Sequence, residues 1–339
     1  MPDVARPKLA FAYDPARTER VFSARDLARL RDVADIVRDA PLTRLDTDEA
    51  RALLADIDVL VTGWGAPPID AATLVAAPKL KLVAHSAGTV KSFVDRAVFE
   101  AGVFVITAAA ANAVPVAEFT LAAILFANKR VFEFRDMYRQ SRTRDGLGPI
   151  MASEFGNYRK VIGVIGASRI GLKLIEMLRP FDFEVILHAP RMSPEQAAEL
   201  GVELVGLDDL MARADVVTLH AASVPETQHM LGAREFALMR DGTTFINTAR
   251  GAIVDHPAME RELVSGRLSA VLDVTDPEPL PADSPLYELG NVILLPHIAG
   301  AAGVERERLG ALVVDEVVRF AHGEPLQHLI DYSRYDRLA

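Results

Sequence analysis

The sequence contains no cysteine, which excludes disulfides, thiolate nucleophiles, zinc–thiolate sites and iron–sulfur clusters in one step. Such a chain fits a reducing cytoplasm. The opening stretch MPDVARPKLAFAYD carries Asp3 and Asp14 and no apolar signal core, so it reads as free of a targeting peptide. A cytoplasmic location is the resulting expectation. Positive charge is also in deficit, with 37 Lys and Arg against 47 Asp and Glu and a net charge of −10. Phosphate backbones and anionic membranes reward clustered Lys and Arg, so neither nucleic acid nor a membrane is an expected partner. Long apolar runs are missing as well. The most apolar region, Ala108 to Ala127, is interrupted by Asn112, Glu118 and Thr120, whereas a spanning helix needs about 18 uninterrupted apolar residues. No H-E-x-x-H or comparable pattern links the eight histidines, and no metal site is expected.

What remains is the profile of a globular α/β chain. Half of the 339 residues are apolar and a quarter are charged, and this length suits two domains of roughly 150 residues each. Leu9–Tyr13, Val59–Gly63, Leu80–His85 and Phe104–Thr107 read as strands buried on both faces. Between them, Thr47–Ile57 and Val90–Ala101 show apolar positions at helical spacing. From Val114 to Arg142 the pattern is one long helix, apolar around most of its first half, which must be buried against a second domain or a second subunit. A second series of strands follows at Val161–Ile165, Glu184–His188, Val216–His220, Thr244–Thr248, Ala270–Val274 and Val292–Leu295. A terminal helix, Val304–His322, ends in Gly323. Alternation of this kind implies two parallel sheets covered by helices. The second is inserted into the first, and the terminal helix returns to the first.

The segment VIGVIGASRIGLKLIEML is a strand, a tight turn and a helix. Gly166 and Gly171 occupy two positions of the dinucleotide fingerprint and Ser168 occupies the middle one. A small residue there lets the backbone approach a pyrophosphate lying on the helix N-terminus, with Ile170 in the same turn. The Ser168 hydroxyl can itself donate to phosphate, and Arg169 adds a cation. At the end of the next strand, EVILHAPRMSPEQ has Ala189 where an acid would grip the ribose 2′-hydroxyl. Nothing there repels a 2′-phosphate, and Arg191 can pair with one. The cofactor is therefore NAD or NADP, with a lean to NADP.

Three motifs then fall at strand ends, where open α/β sheets place their ligands. NTARGAIVD puts Arg250 in a turn beside Gly251, LDVTDPEP offers Asp273, Asp276 and Glu278, and LLPHIAGAA places His297 after an apolar strand, with Gly300 opening a helix. One arginine, one carboxylate and one histidine form the minimum set for reducing a 2-keto acid. The arginine fork holds a carboxylate or polarises a carbonyl. The histidine protonates the developing alkoxide. The carboxylate orients the histidine and favours its charged form. His85, His188 and His220 sit at strand ends without such neighbours and read as structural.

With these motifs in order, the chain resembles the D-isomer-specific 2-hydroxyacid dehydrogenase family. The resemblance runs from HSAGTVKSFVD through AAANAVPVAEFTLAAIL and GVIGASRIG to NTARGAIVD, LDVTDPEP and PHIAGAA. It implies a Rossmann dinucleotide-binding domain (residues 112–299) inserted into a flavodoxin-like substrate domain (1–111 plus 300–339). Arg250 would bind the substrate's carboxylate and carbonyl, His297 would be the acid/base and Glu278 its partner. Asp273 would bind the nicotinamide carboxamide, and backbone amides at Gly88 and Thr89 would hold the substrate carboxylate. The long helix after Asn112 would form a homodimer interface. Glu278 stands where formate dehydrogenases carry glutamine. Ala222 and Thr275 also depart from the family pattern, in the expected adenine pocket and beside the active site. An NAD(H)-binding corepressor-like protein and a phosphite dehydrogenase are the alternative readings.

Overall fold

The computed structural model describes residues 6–145 and 147–337. The chain divides into two compact units, residues 1–112 with 301–339, and residues 113–300. Each is built around its own parallel sheet.

The first unit carries β1 (Lys8–Ala12), β2 (Asp35–Leu42), β3 (Val59–Thr62), β4 (Leu82–His85) and β5 (Phe104–Thr107), in the order β2-β1-β3-β4-β5. This is the flavodoxin-like order. The central strands β3 and β4 are buried at every residue, as expected of strands covered on both faces. One layer of core joins Leu9, Val61 and Leu82 to Leu309, Val313 and Val317, so the terminal helix Glu307–Ala321 does return to this sheet. The opposite face packs Leu60, Val83 and Val105 against Leu54, Ile69 and Val98.

The second unit carries β6 (Val161–Ile165), β7 (Glu184–His188), β8 (Glu203–Leu204), β9 (Val216–Leu219), β10 (Thr244–Asn247), β11 (Ser269–Leu272) and β12 (Val292–Leu294). Their order is β12-β11-β10-β9-β6-β7-β8. Sequence-adjacent strands β6 and β7 pair, as do β6 and β9, so the winding reverses between β6 and β9. Open sheets bind ligands at that point, outside the carboxyl ends of the strands.

Three expectations need correction. The single helix expected from Val114 to Arg142 is two, Ala109–Asn128 and Val131–Ser141. The break is at Arg130, whose φ of 50° lies in the left-handed region. β2 was not expected, because DIVRDAPL carries charges at Asp35, Arg38 and Asp39; it is an edge strand paired only to β1. Gly300 does not open a helix, since regular structure resumes only at Gly303–Arg306 and Glu307–Ala321. Helix Ala109–Asn128 is also, among the described residues, the one long and apolar enough to cross a membrane by length and composition. Its Thr120 hydroxyl bonds that of Thr248 at 3.1 Å, and Ala117 and Ile124 sit in the second unit's core.

Candidate active site

Three neighbouring loops of the second unit, after β10, β11 and β12, carry Arg250, Glu278 and His297. His297 adopts φ 58°, a conformation that costs a non-glycine residue about 1–3 kcal/mol and persists only when its surroundings impose it. The imposition is visible. The His297 N–H donates to the Asp273 carbonyl at 3.0 Å. The Asp273 carboxylate accepts the N–H of Ile298 at 2.7 Å and of Ala299 at 3.0 Å. Asp273 is buried, so its carboxylate is an internal anchor for the turn that follows His297. The family resemblance also assigns Asp273 to the nicotinamide carboxamide; in the structure its two oxygens accept these backbone amides.

The imidazole itself is half-exposed. Its Nδ1 lies 2.7 Å from Glu278 Oε1, so Nε2 is the ring nitrogen left for another partner. Asp276, the other acid of LDVTDPEP, is not the histidine's partner. Arg250 is exposed, and among the described residues its guanidinium bonds only the Ala249 carbonyl, at 2.6 Å. Its backbone is fixed instead. Asn247 Nδ2 donates to the Arg250 carbonyl at 3.1 Å. A Cβ at Gly251 would stand 2.1 Å from the Thr275 carbonyl carbon, so the loops after β10 and β11 are pressed backbone to backbone. The arginine thus presents, from a fixed base, a cation with no carboxylate partner among the described residues.

The glycine-rich turn follows β6. Gly166 has φ +101°, and a Cβ there would stand 2.5 Å from the Ala221 nitrogen; one at Gly171 would stand 2.3 Å from the Gly166 oxygen. Both must be glycine for the turn to close at the reversal between β6 and β9. Ser168 is the N-cap of helix Arg169–Leu178 and accepts the Gly171 N–H at 3.3 Å. Its O–H stays free to donate, and the N–H groups of Arg169 and Ile170 are orphan helix donors. This ten-residue helix start suits a pyrophosphate. Arg169 and Arg191 are exposed and lack carboxylate partners among the described residues. Ala189, at the end of β7, is 7% exposed. No cluster of three or more metal-binding side chains is found among the described residues.

In the first unit, Gly88 and Thr89 lie in the loop after β4. Side-chain space at Gly88 is open, and neither amide N–H bonds within the described chain. His85 and His220 are structural, as expected. His85 Nδ1 meets the Thr62 hydroxyl at 3.0 Å, His220 Nε2 meets that of Thr218 at 2.9 Å, and burial pushes both imidazoles down to about 3. His188 Nδ1 lies 3.2 Å from the Val205 carbonyl.

Sequence reasoning missed Asn112, whose side-chain oxygen accepts the Ala301 N–H at 2.9 Å, so the two points where the chain passes between units are tied together. It also missed the stacking of Arg306 on Trp64. Only a partner nearly 200 or more residues away gives either residue a meaning, and no local spacing signals that.

Comparison with known proteins agrees with this geometry. The profile of the D-isomer specific 2-hydroxyacid dehydrogenase NAD-binding domain matches residues 121–299. A glyoxylate reductase of Korarchaeum cryptofilum is 31% identical over 277 residues, covering 81% of this chain and 83% of that one. A D-3-phosphoglycerate dehydrogenase of Mycobacterium tuberculosis is 33% identical over 283 residues, 82% of this chain but only 52% of that one; the chain thus spans about half of that relative. Among solved structures, a phosphoglycerate oxidoreductase from Rhizobium etli superposes with a TM-score of 0.82 at 26% identity, covering 96% of this chain and 98% of that one. The chain belongs to the D-isomer specific 2-hydroxyacid dehydrogenase family of oxidoreductases, and its second unit is that family's NAD-binding domain.

Proposed function

We propose that this protein interconverts a small 2-keto acid and the corresponding D-2-hydroxy acid, with His297 as the acid/base. The observation that carries this reading is the 2.7 Å pair between His297 Nδ1 and Glu278 Oε1, two loops from an arginine with no carboxylate partner among the described residues. NAD(P)H, when bound at the glycine-rich turn, supplies the hydride. Arg250 holds the substrate carboxylate and polarises its C2 carbonyl. In the first unit, the amide N–H groups of Gly88 and Thr89 are the candidates for holding a substrate carboxylate. The proton on His297 Nε2 passes to the carbonyl oxygen as C2 is reduced, converting C=O to CH–OH. Glu278 keeps the imidazole oriented through its 2.7 Å bond to Nδ1.

For the cofactor we infer a preference for NADP(H). A buried alanine at position 189 offers no carboxylate to repel a 2′-phosphate, and two residues on Arg191 is an exposed cation, unpaired among the described residues. A homodimer is proposed from helix Ala109–Asn128, which is apolar yet buries only seven of its 20 residues within the chain. A cytoplasmic location accompanies this reading.

The test is a panel of 2-keto acids assayed with both NADH and NADPH, followed by His297→Asn with the best substrate. Acid–base catalysis contributes about 10²–10⁴-fold, so the variant should lose at least about a hundredfold in kcat. Turnover within about tenfold of wild type would remove His297 from the mechanism.

A further inference from the structure

Residues 275–279, the segment of the second unit that carries Glu278, have few hydrogen bonds to hold them. Pro277 and Pro279 have no N–H to donate. Among the described residues the N–H groups of Thr275, Asp276 and Glu278 make no hydrogen bond, and of the segment's carbonyls only that of Pro277 accepts one. The donor is the Thr275 hydroxyl, at 2.8 Å.

Side-chain packing does not take over the task. Glu278 lines a cavity of about 420 Å³ with Pro279, Leu280, Tyr287 and Leu294, and its side chain is 43% exposed. Among the described residues its one hydrogen-bond partner is His297 Nδ1. The nearby Tyr287 hydroxyl donates to the Leu280 carbonyl at 3.3 Å. Thr275, by contrast, stands on fixed backbone and is itself buried. Gly251 presses on its carbonyl, and two residues earlier the Asp273 N–H donates to the Asn247 carbonyl at 3.0 Å. The Thr275 hydroxyl carries that fixed frame across to Pro277, the residue before Glu278.

We propose that Thr275, to which the mechanism above gives no part, is the positioning residue of the acid/base pair. By holding the Pro277 carbonyl, its hydroxyl sets the Glu278 carboxylate against His297 Nδ1. A carboxylate only accepts, so Nδ1 carries the hydrogen of that bond and Nε2 is reserved for the proton exchanged with substrate. Without the tie, Glu278 can swing into the cavity or the solvent, and the imidazole loses the partner that selects its tautomer. The effect on turnover rests on the 2-keto acid reading above; the effect on the tautomer does not.

The experiment compares Thr275→Val, which keeps the shape and deletes the hydroxyl, with Thr275→Ser, which keeps the hydroxyl. Nitrogen NMR of protein carrying isotope-labelled histidine, in alkaline buffer, reports which ring nitrogen is protonated, and His297→Asn assigns the signal. Unmoved signals from the buried His85 and His220 show that each variant is folded. Wild-type His297 should be the Nδ1–H tautomer, and Thr275→Val should shift it toward Nε2–H. Misplacing a catalytic group by about 1 Å can cost about 10²-fold, so kcat should fall about 10- to 100-fold while both KM values stay within about threefold. Thr275→Ser should restore both the tautomer and kcat. A folded Thr275→Val protein that keeps the wild-type tautomer, or keeps kcat within about threefold, would overturn the proposal. So would a loss that Thr275→Ser does not restore. The two readings fail separately. A tautomer shift in Thr275→Val, reversed in Thr275→Ser, with no keto acid turned over by the wild type, keeps the positioning role and sinks the dehydrogenase reaction. Turnover by the wild type with the tautomer unmoved in Thr275→Val does the reverse.

Discussion

Asp273 accepts the backbone N–H of Ile298 on Oδ1 at 2.7 Å, one residue beyond the candidate proton donor. With Oδ2 on the Ala299 N–H, this buried carboxylate holds the left-handed turn at His297. Replacement by asparagine keeps the volume but sets an amide N–H against one of the two backbone donors. Misplacing a catalytic group by about 1 Å can cost about 10²-fold. Asp273→Asn should therefore lower kcat by about 10- to 100-fold while the cofactor KM stays within about threefold. A large rise in cofactor KM with kcat preserved would mean that Asp273 binds the nicotinamide after all.

Gly251 stands where the loop bearing Arg250 meets the loop bearing Glu278. A methyl group there would sit 2.1 Å from the Thr275 carbonyl, on backbone that has no rotamer to change. Overpacking typically costs about 1–3 kcal/mol, and rigid backbone puts Gly251→Ala near the top, about 3 kcal/mol. Urea unfolding followed by circular dichroism measures it. A loss under about 0.5 kcal/mol would show that the two loops yield easily.

How much of this was legible beforehand follows from where each signal lies. The β6 turn was readable because VIGVI and the fingerprint glycines are local, and the buried central strands β3 and β4 were readable because each is an apolar run closed by a single polar residue, Thr62 or His85. β2 was not, because an edge strand exposed along one side tolerates Asp35, Arg38 and Asp39 in its run. The helix break at Arg130 carries no glycine or proline to announce it. For the site, the motifs located Arg250, Asp276, Glu278 and His297, the family resemblance singled out Glu278, and the 2.7 Å pair is made by Glu278 and not by Asp276. The anchoring role of Asp273 was hidden, since its partners lie 25 and 26 residues downstream.

The exposed Arg191, unpaired among the described residues, gives the cofactor question a direct test. If it pairs with a 2′-phosphate, Arg191→Ala removes a charge-assisted hydrogen bond of about 1.5–3 kcal/mol. The ratio of kcat/KM for NADPH over NADH should then fall by about 10- to 100-fold. An unchanged ratio would show that the guanidinium stays in solvent in the complex.

Helix Val131–Ser141 buries no residue, and the helix before it exposes Phe126, whose ring meets that of Phe132 at 5.7 Å between centroids. If this surface is the interface between two copies, a charge in its middle is costly, since burying an unpaired carboxylate opposes association. Phe126→Glu should convert dimer to monomer in light scattering at micromolar concentration, with the circular dichroism spectrum preserved. A wild-type protein that is already monomeric, or a variant that remains dimeric, would rule this surface out.

The two buried histidines predict how each unit responds to acid. Burial holds His85 in the first unit and His220 in the second at about 3, against an ordinary 6.5. Between those values the unfolded chain binds a proton that the folded chain refuses, so unfolding becomes easier as pH falls. The stabilising contribution is complete above about pH 6.5 and is lost progressively toward pH 3. From pH 7.5 to 5.5 each histidine should remove about 1.4 kcal/mol from the stability of its own unit. Urea titrations at the two pH values, on wild type and on His85→Gln and His220→Gln, isolate these contributions from those of the acidic groups. Each substitution should reduce the pH-dependent loss by about that amount in its own unit. A loss unchanged by either substitution would mean that the imidazoles find protons, and therefore water, inside the folded protein.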